Sequence, residues 1–227
     1  METPTGTFRP NASSLSQQIY QQLRARLMAG RYPQGTRLAI SALAGEFGTS
    51  ATPVREAIFQ LVRERALEFR AGHQPRVPVL EVWQYMELRE VRIPLERLAA
   101  ELAAGNMTPE QIDDLAAAHL SYVDCETRQD WIGALAANQT FHFAVYRGSG
   151  NPVLATALEN YWLVSGPFVA RQYPAILNSQ QDPHPHNLLV DALRARDSAA
   201  AGAALVRDIL EGSRDLLDWI ARNPAQA

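Results

Sequence analysis

The chain has 227 residues, 47% of them apolar, and a formal net charge of -3. That length suits two domains with real cores, and no apolar run approaches the roughly 18 residues of a membrane span. A single cysteine, Cys125, excludes an internal disulfide and a cysteine-rich zinc site, and no role falls to it.

The charge is unevenly placed. Residues 1–80 carry ten arginines and five acids, whereas residues 81–227 carry eleven arginines and nineteen acids. A basic N-terminal part can face phosphate, and the acidic remainder is repelled by it. Met1 to Pro10 is polar and lacks the apolar core of a signal peptide, so a reducing cytoplasm is the expected compartment.

Residues 1–12 read as a loose arm. From Ser13, Leu15, Ile19, Leu23 and Leu27 recur every four positions and predict a helix that Gly30 ends. Tyr32 to Thr36 is a turn, and Arg37-Leu38 a candidate short strand. Ser41 is placed to cap a second helix carrying Leu43, Ala44 and Phe47, stopped by Gly48. A third helix follows to about Arg65. Pro53 lies in its first turn, where a missing N–H costs nothing, and Val54, Ala57, Ile58 and Leu61 form its apolar face. Leu67 to Arg70 and Arg76 to Val79 alternate around Ala71–Pro75 as a small hairpin does. Three helices and a two-stranded wing make a winged helix-turn-helix.

Pro75, Pro78 and the change of pattern near Leu80 place a boundary between residues 1–79 and 80–227. Beyond it the expected fold is all-α, so the chain is mainly α overall. Helices are predicted near Trp83–Gly105, Pro109–Thr127, Trp131–Gly148, Pro152–Tyr173, His186–Arg196 and Ser198–Ile220, with Pro94 kinking or dividing the first. Tyr173 to Pro185, with three prolines, reads as a loop.

The third helix suits a DNA major groove, because hydroxyls and an arginine cluster at its exposed N-terminal end. Ser50, Thr52 and Arg55 are the expected contacts, with Gly72 and His73 at the wing tip near the minor groove. The alternative is structural: the hydroxyls cap the helix and Arg55 pairs with a surface acid.

The run Gly30–Leu38, then Leu43-Ala44, Gly48–Ser50 and Thr52–Ala57, resembles the DNA-binding domain of GntR-type bacterial transcription regulators. The remainder resembles the FCD effector-binding domain of their FadR-like branch. It does so through Glu90-Val91-Arg92 with Glu96, Phe141-His142 with Gly150-Asn151-Pro152, His186 with Ala192, and Arg196-Asp197 with Ala200. The resemblance implies a homodimer on a palindromic double-stranded operator, with a small organic acid as effector and residues 80–227 as the effector-binding and dimerisation domain. One departure stands out. The family usually has arginine between the two hydroxyls, where it commonly helps read a guanine, and this chain has Ala51, so the resemblance implies that reading at that base is weakened, relaxed or handed to another residue.

The family also often holds a divalent metal through an Asp and a His four residues apart and two later histidines. The matching positions here are Asn138, His142, His186 and Asp208. One carboxylate and two imidazoles remain, a set for zinc, nickel or manganese, although the Asn138 amide is a weak ligand. The other reading is a metal-free polar pocket in which these four groups bind the effector directly. Arg92 is the candidate to grip an effector carboxylate, with an ion pair to Glu96 as its structural alternative. His119, on an apolar helix, reads as structural, and His184 does not share a helix face with His186. Two other classes of function stay open: a metal-dependent enzyme acting on a small organic acid, and a protein-binding scaffold.

Overall fold

The computed structural model describes residues 12–70, 72–180 and 182–223, so the predicted N-terminal arm, apart from Ala12, and Ala71 of the wing lie outside the described residues. Among the described residues nine α-helices follow one another: α1 (Ala12–Met28), α2 (Ile40–Glu46), α3 (Ala51–Arg63), α4 (Val82–Asn106), α5 (Pro109–Thr127), α6 (Trp131–Gly148), α7 (Pro152–Val169), α8 (Pro185–Arg194) and α9 (Ser198–Arg222).

Local sequence explains where these helices begin. The Thr108 hydroxyl accepts from the Gln111 N–H, the Gln111 side chain returns to the Thr108 N–H, and Pro109 opens α5. Asp130, Asn151 and Asp197 accept backbone N–H bonds at the starts of α6, α7 and α9. Ser41 does not cap α2. That helix begins one residue before it, with Ala39 at the cap position and no side-chain bond. α4 runs through Pro94 as one element instead of dividing there.

The wing is slighter than its alternating sequence suggests. Glu68 and Arg37 each form an isolated antiparallel bridge to Arg76, and no strand forms among the described residues. The Glu68 and Arg76 backbones exchange both hydrogen bonds and their side chains form an ion pair, but one residue pair is too short a ladder for a strand. α7 ends at Val169 and continues as a 3-10 turn, Ala170–Gln172; a second such turn, Asn178–Gln180, lies in the proline-rich stretch.

Leu23 and Leu27 of α1 pack on Val54, Ala57, Ile58 and Leu61 of α3, all of them buried. The later helices bury Ala99, Leu115, Phe141, Val145, Leu158, Leu193 and Leu205. One apolar cluster joins both sets, because α7 lies against α1. An Arg24–Glu159 ion pair of 3.4 Å flanks this contact.

Candidate DNA-reading face and effector cavity

α3 buries its apolar stripe and leaves Ala51, Thr52 and Arg55 exposed. Ser50 occupies the N-cap position, yet its side chain makes no capping hydrogen bond. Its hydroxyl is therefore not spent on the helix, and Arg55 forms no ion pair among the described residues. Gly72 and His73 are exposed at the wing tip; the positive φ of Gly72, 79°, is the left-handed backbone that this turn requires and glycine allows. Arg37, Arg70 and Arg76 join them around one polar recess, so the wing is more basic than its two expected contacts suggested. Arg37 lies far from the wing in sequence, and its bridge to Arg76, with the backbone bonds Leu38 N–H to Pro75 and Val77 N–H to Thr36 beside it, brings it there.

In the helical bundle the five residues expected to bind effector converge. Arg92, Asn138, His142, His186 and Asp208 all line one cavity of about 60 Å³, room for several water-sized groups. They come from four helices: α4 supplies Arg92, α6 the Asn138–His142 pair, α8 His186 and α9 Asp208. Trp162, Tyr122 and Tyr85 supply aromatic walls.

Glu96, wholly buried one turn after Arg92, organises this floor. Arg92 Nε donates to Glu96 Oε1 at 2.5 Å, and the Tyr146 hydroxyl donates to the same oxygen. Trp162 Nε1 donates in turn to the Tyr146 hydroxyl at 2.8 Å, and the Arg92 guanidinium lies 4.9 Å from the Trp162 ring centre. The ion pair to Glu96, the structural alternative for Arg92, is thus present, and Arg92 also lines the cavity. Burial opposes the charge on Arg92, but Glu96 outweighs it and holds the guanidinium above its ordinary pKa. Burial likewise opposes the charge on Glu96, and Arg92 keeps that carboxyl below its usual range.

Asp208 faces both imidazoles. His142 Nε2 is 3.2 Å from Asp208 Oδ2, and His186 Nε2 is 3.4 Å from Asp208 Oδ1. On its other side His142 Nδ1 is 3.5 Å from Glu96 Oε2. Burial would lower the His142 pKa, but Asp208 and Glu96 raise it to about 9. Burial would raise the Asp208 carboxyl, but His186 and His142 facing it hold it below the usual range. His186 is driven well below its ordinary pKa by burial.

These groups fit a divalent cation. Two imidazole nitrogens and one carboxylate lie within 4.8 Å of one another, and the fully buried His186 Nε2 has no hydrogen-bond partner among the described residues. Such a two-histidine, one-carboxylate set leaves open positions for ligand oxygens.

Two more histidines enter the cluster, against expectation. His119 Nδ1 is 3.2 Å from His186 Nδ1, because the apolar face of α5 that carries His119 packs towards α8. His184 does not need to share a helix face with His186: it stands just before α8, and its Nδ1 accepts the His186 backbone N–H at 3.0 Å. Burial lowers His119 to about 4 and lowers His184 as well.

A helix-turn-helix head with free hydroxyls and a basic wing, joined to a helical bundle around a polar cavity, defines a DNA-binding regulator with a ligand-sensing domain. Residues 15–77 match the family described as bacterial regulatory proteins, gntR family, and residues 87–211 match the FCD domain. The chain is 32% identical to the HTH-type transcriptional regulator McbR of Escherichia coli K12 over 85% of its own length and 88% of that protein's. It is 25% identical to the E. coli transcriptional repressor GlaR, over 84% and 90% of the two lengths. The solved structure of E. coli McbR/YncC superposes with a TM-score of 0.84 at 29% identity, covering 91% of this chain and 98% of that one. The chain belongs to the gntR family of bacterial regulatory proteins and carries an FCD domain.

Proposed function

We propose that this regulator is a cytoplasmic repressor. It binds a palindromic operator as a homodimer, and a small carboxylate metabolite in the bundle cavity controls its affinity. The observation that carries this reading is the convergence of Arg92, Asn138, His142, His186 and Asp208 on one cavity in the domain joined to the reading head. Ser50, Thr52 and Arg55 read the major groove, and Gly72 and His73 meet the minor groove with Arg37 and Arg70 on phosphate. One α3 reads too few base pairs for useful specificity, so two half-sites about one turn apart are required. Exposed Val79, ahead of α4, and Val82, Trp83 and Met86 at its start give the second copy an apolar surface. Two relatives carry repressor in their names, the E. coli transcriptional repressor GlaR and the probable D-xylose utilization operon transcriptional repressor of Paenarthrobacter nicotinovorans, which favours that sign of control.

In the cavity His142, His186 and Asp208 would hold a zinc, nickel or manganese ion, with Asn138 beside them. When bound, the ion supplies a positive centre for a carboxylate oxygen. Glu96 fixes the Arg92 guanidinium and faces His142 Nδ1, which orients both side chains in an apolar surround. Trp162 and Tyr122 exclude water around the ligand.

The test is a fluorescence anisotropy titration with duplex DNA from the region upstream of the protein's own gene, repeated with small organic acids and with a chelator. Salt-sensitive binding that one acid weakens or strengthens supports the reading. Affinity that no acid alters, with or without metal, overturns the effector part; absence of DNA binding overturns the whole.

A further inference from the structure

His186 is held at three places. Its backbone N–H donates to His184 Nδ1, its ring stacks on Phe141 with centroids 3.7 Å apart, and its Nδ1 meets His119 Nδ1 at 3.2 Å. Two ring nitrogens at that separation share one proton: one donates and the other accepts. If His119 donated, the His186 proton would sit on Nε2, facing Asp208. That nitrogen is buried 3.4 Å from Asp208 Oδ1, yet it makes no hydrogen bond among the described residues. If His186 donates, Nε2 presents a lone pair towards Asp208 and His142.

The second assignment makes the two cavity imidazoles alike. His142 Nδ1 faces an acceptor, Glu96 Oε2, at 3.5 Å, and turns Nε2 to Asp208 Oδ2. His186 Nδ1 faces an acceptor, His119 Nδ1, and turns Nε2 to Asp208 Oδ1. His119 and His184 also lie close enough to His186 to form a ligand trio of their own. His184 Nδ1, however, accepts the His186 N–H, so its proton is on Nε2. It cannot ligate through either nitrogen without giving up that bond or that proton.

We infer that His119 is a positioning residue for the cavity cation: its Nδ1 accepts the His186 Nδ1–H and so fixes the tautomer in which His186 Nε2 is a ligand. This inference rests on the metal reading of the preceding subsection. A partner that sets a ligand's tautomer and ring angle usually changes metal affinity by about 10- to 100-fold when removed.

The test uses the full chain with His119→Phe, which removes the acceptor, and His119→Gln, whose amide oxygen restores one. Cobalt(II) is titrated into chelator-stripped protein, its visible absorption giving the coordination, and affinity for zinc is found by competition with a chromophoric chelator. Circular dichroism and metal-free thermal unfolding establish that both variants fold. The expected result is weakening of roughly 10- to 100-fold for His119→Phe, with His119→Gln close to the parent protein. Nitrogen-15 shifts of the His186 ring in the metal-free protein should report the Nδ1–H form in the parent and its loss in His119→Phe. A parent protein that binds cobalt while His119→Phe binds it equally well overturns this inference alone. Equal weakening by Phe and Gln, or an Nε2–H tautomer in the parent, overturns it too. A parent protein that takes up no cobalt, zinc, nickel or manganese overturns the metal reading together with it.

Discussion

Gly166 of α7 lies directly on the end of α1: a Cβ at that position would sit 3.2 Å from both the Cα and the carbonyl oxygen of Met28. Two residues on, Gly30 meets the next stretch of the same segment, where an added Cβ would come 2.6 Å from Ala170 Cβ. Trp162, Val169 and Gln172, on either side of this contact, line the cavity. One element therefore touches the ligand cavity on one face and the reading head on the other. A ligand acts through such an element only by favouring one of its arrangements.

Gly166→Val should therefore push α1 away from α7. Overpacking of this kind costs about 1–3 kcal/mol. The helical content should survive, thermal unfolding should begin lower, and operator affinity should respond less to effector. Thermal scans followed by circular dichroism, with anisotropy titrations at two effector concentrations, measure both. A full effector response in a destabilised Gly166→Val protein would exclude this route.

The Arg92–Glu96 pair gives a prediction about stability. Glu96 is completely buried and Arg92 nearly so. Glu96→Ala leaves a guanidinium in the bundle without its partner, at a cost of about 3–5 kcal/mol. Arg92→Met combined with Glu96→Gln should recover much of that loss, because both charges leave together. Urea denaturation of the parent, Glu96→Ala and the double variant decides it: a double variant as unstable as Glu96→Ala would mean that packing, not the stranded charge, sets the cost.

Much of this arrangement was written in local sequence, and the part that was not has a physical cause. Helices α5, α6 and α7 begin where Thr108-Pro109, Asp130 and Asn151-Pro152 place them, since capping depends on residues a turn apart. The Asn138–His142 pair follows from a four-residue spacing on one helix. His119 gave no such signal. An apolar helix face reads as core whatever it packs on, and only the approach of α8 turns that face towards His186. His184 shares no helix face with His186, as the two-residue spacing implies, but as the residue before α8 it folds back over the first turn, a contact that periodicity does not report. The wing was overestimated for the opposite reason: alternation around Gly72 shows that a hairpin can form but not how many ladder bonds close.

For the reading head, Arg55→Ala should lower operator affinity by about 10- to 100-fold with little change in unfolding temperature, since the side chain is exposed and forms no ion pair among the described residues. Arg37→Ala and Arg70→Ala should weaken all sequences alike, each reducing the slope of log affinity against log salt by about 1. Anisotropy titrations on operator and scrambled duplexes over a range of salt separate the two behaviours. If Arg55→Ala also weakens both duplexes equally, it clamps phosphate and does not read a base.

Ala51 supplies the sharpest prediction about sequence. It is the first residue of α3, exposed, between Ser50 and Thr52 and one turn before Arg55. A methyl group cannot hydrogen-bond to guanine, but it can pack against the 5-methyl of thymine. The operator should therefore show no guanine requirement opposite Ala51, and Ala51→Arg should create one. The gain for a guanine-bearing half-site should be about 1–3 kcal/mol, the range for a bidentate arginine contact. Selection from duplexes randomised over the half-site, run with the parent protein and with Ala51→Arg, measures this directly. Unchanged base preference in Ala51→Arg would place the first turn of α3 away from the base edges and leave recognition to Arg55 and the wing.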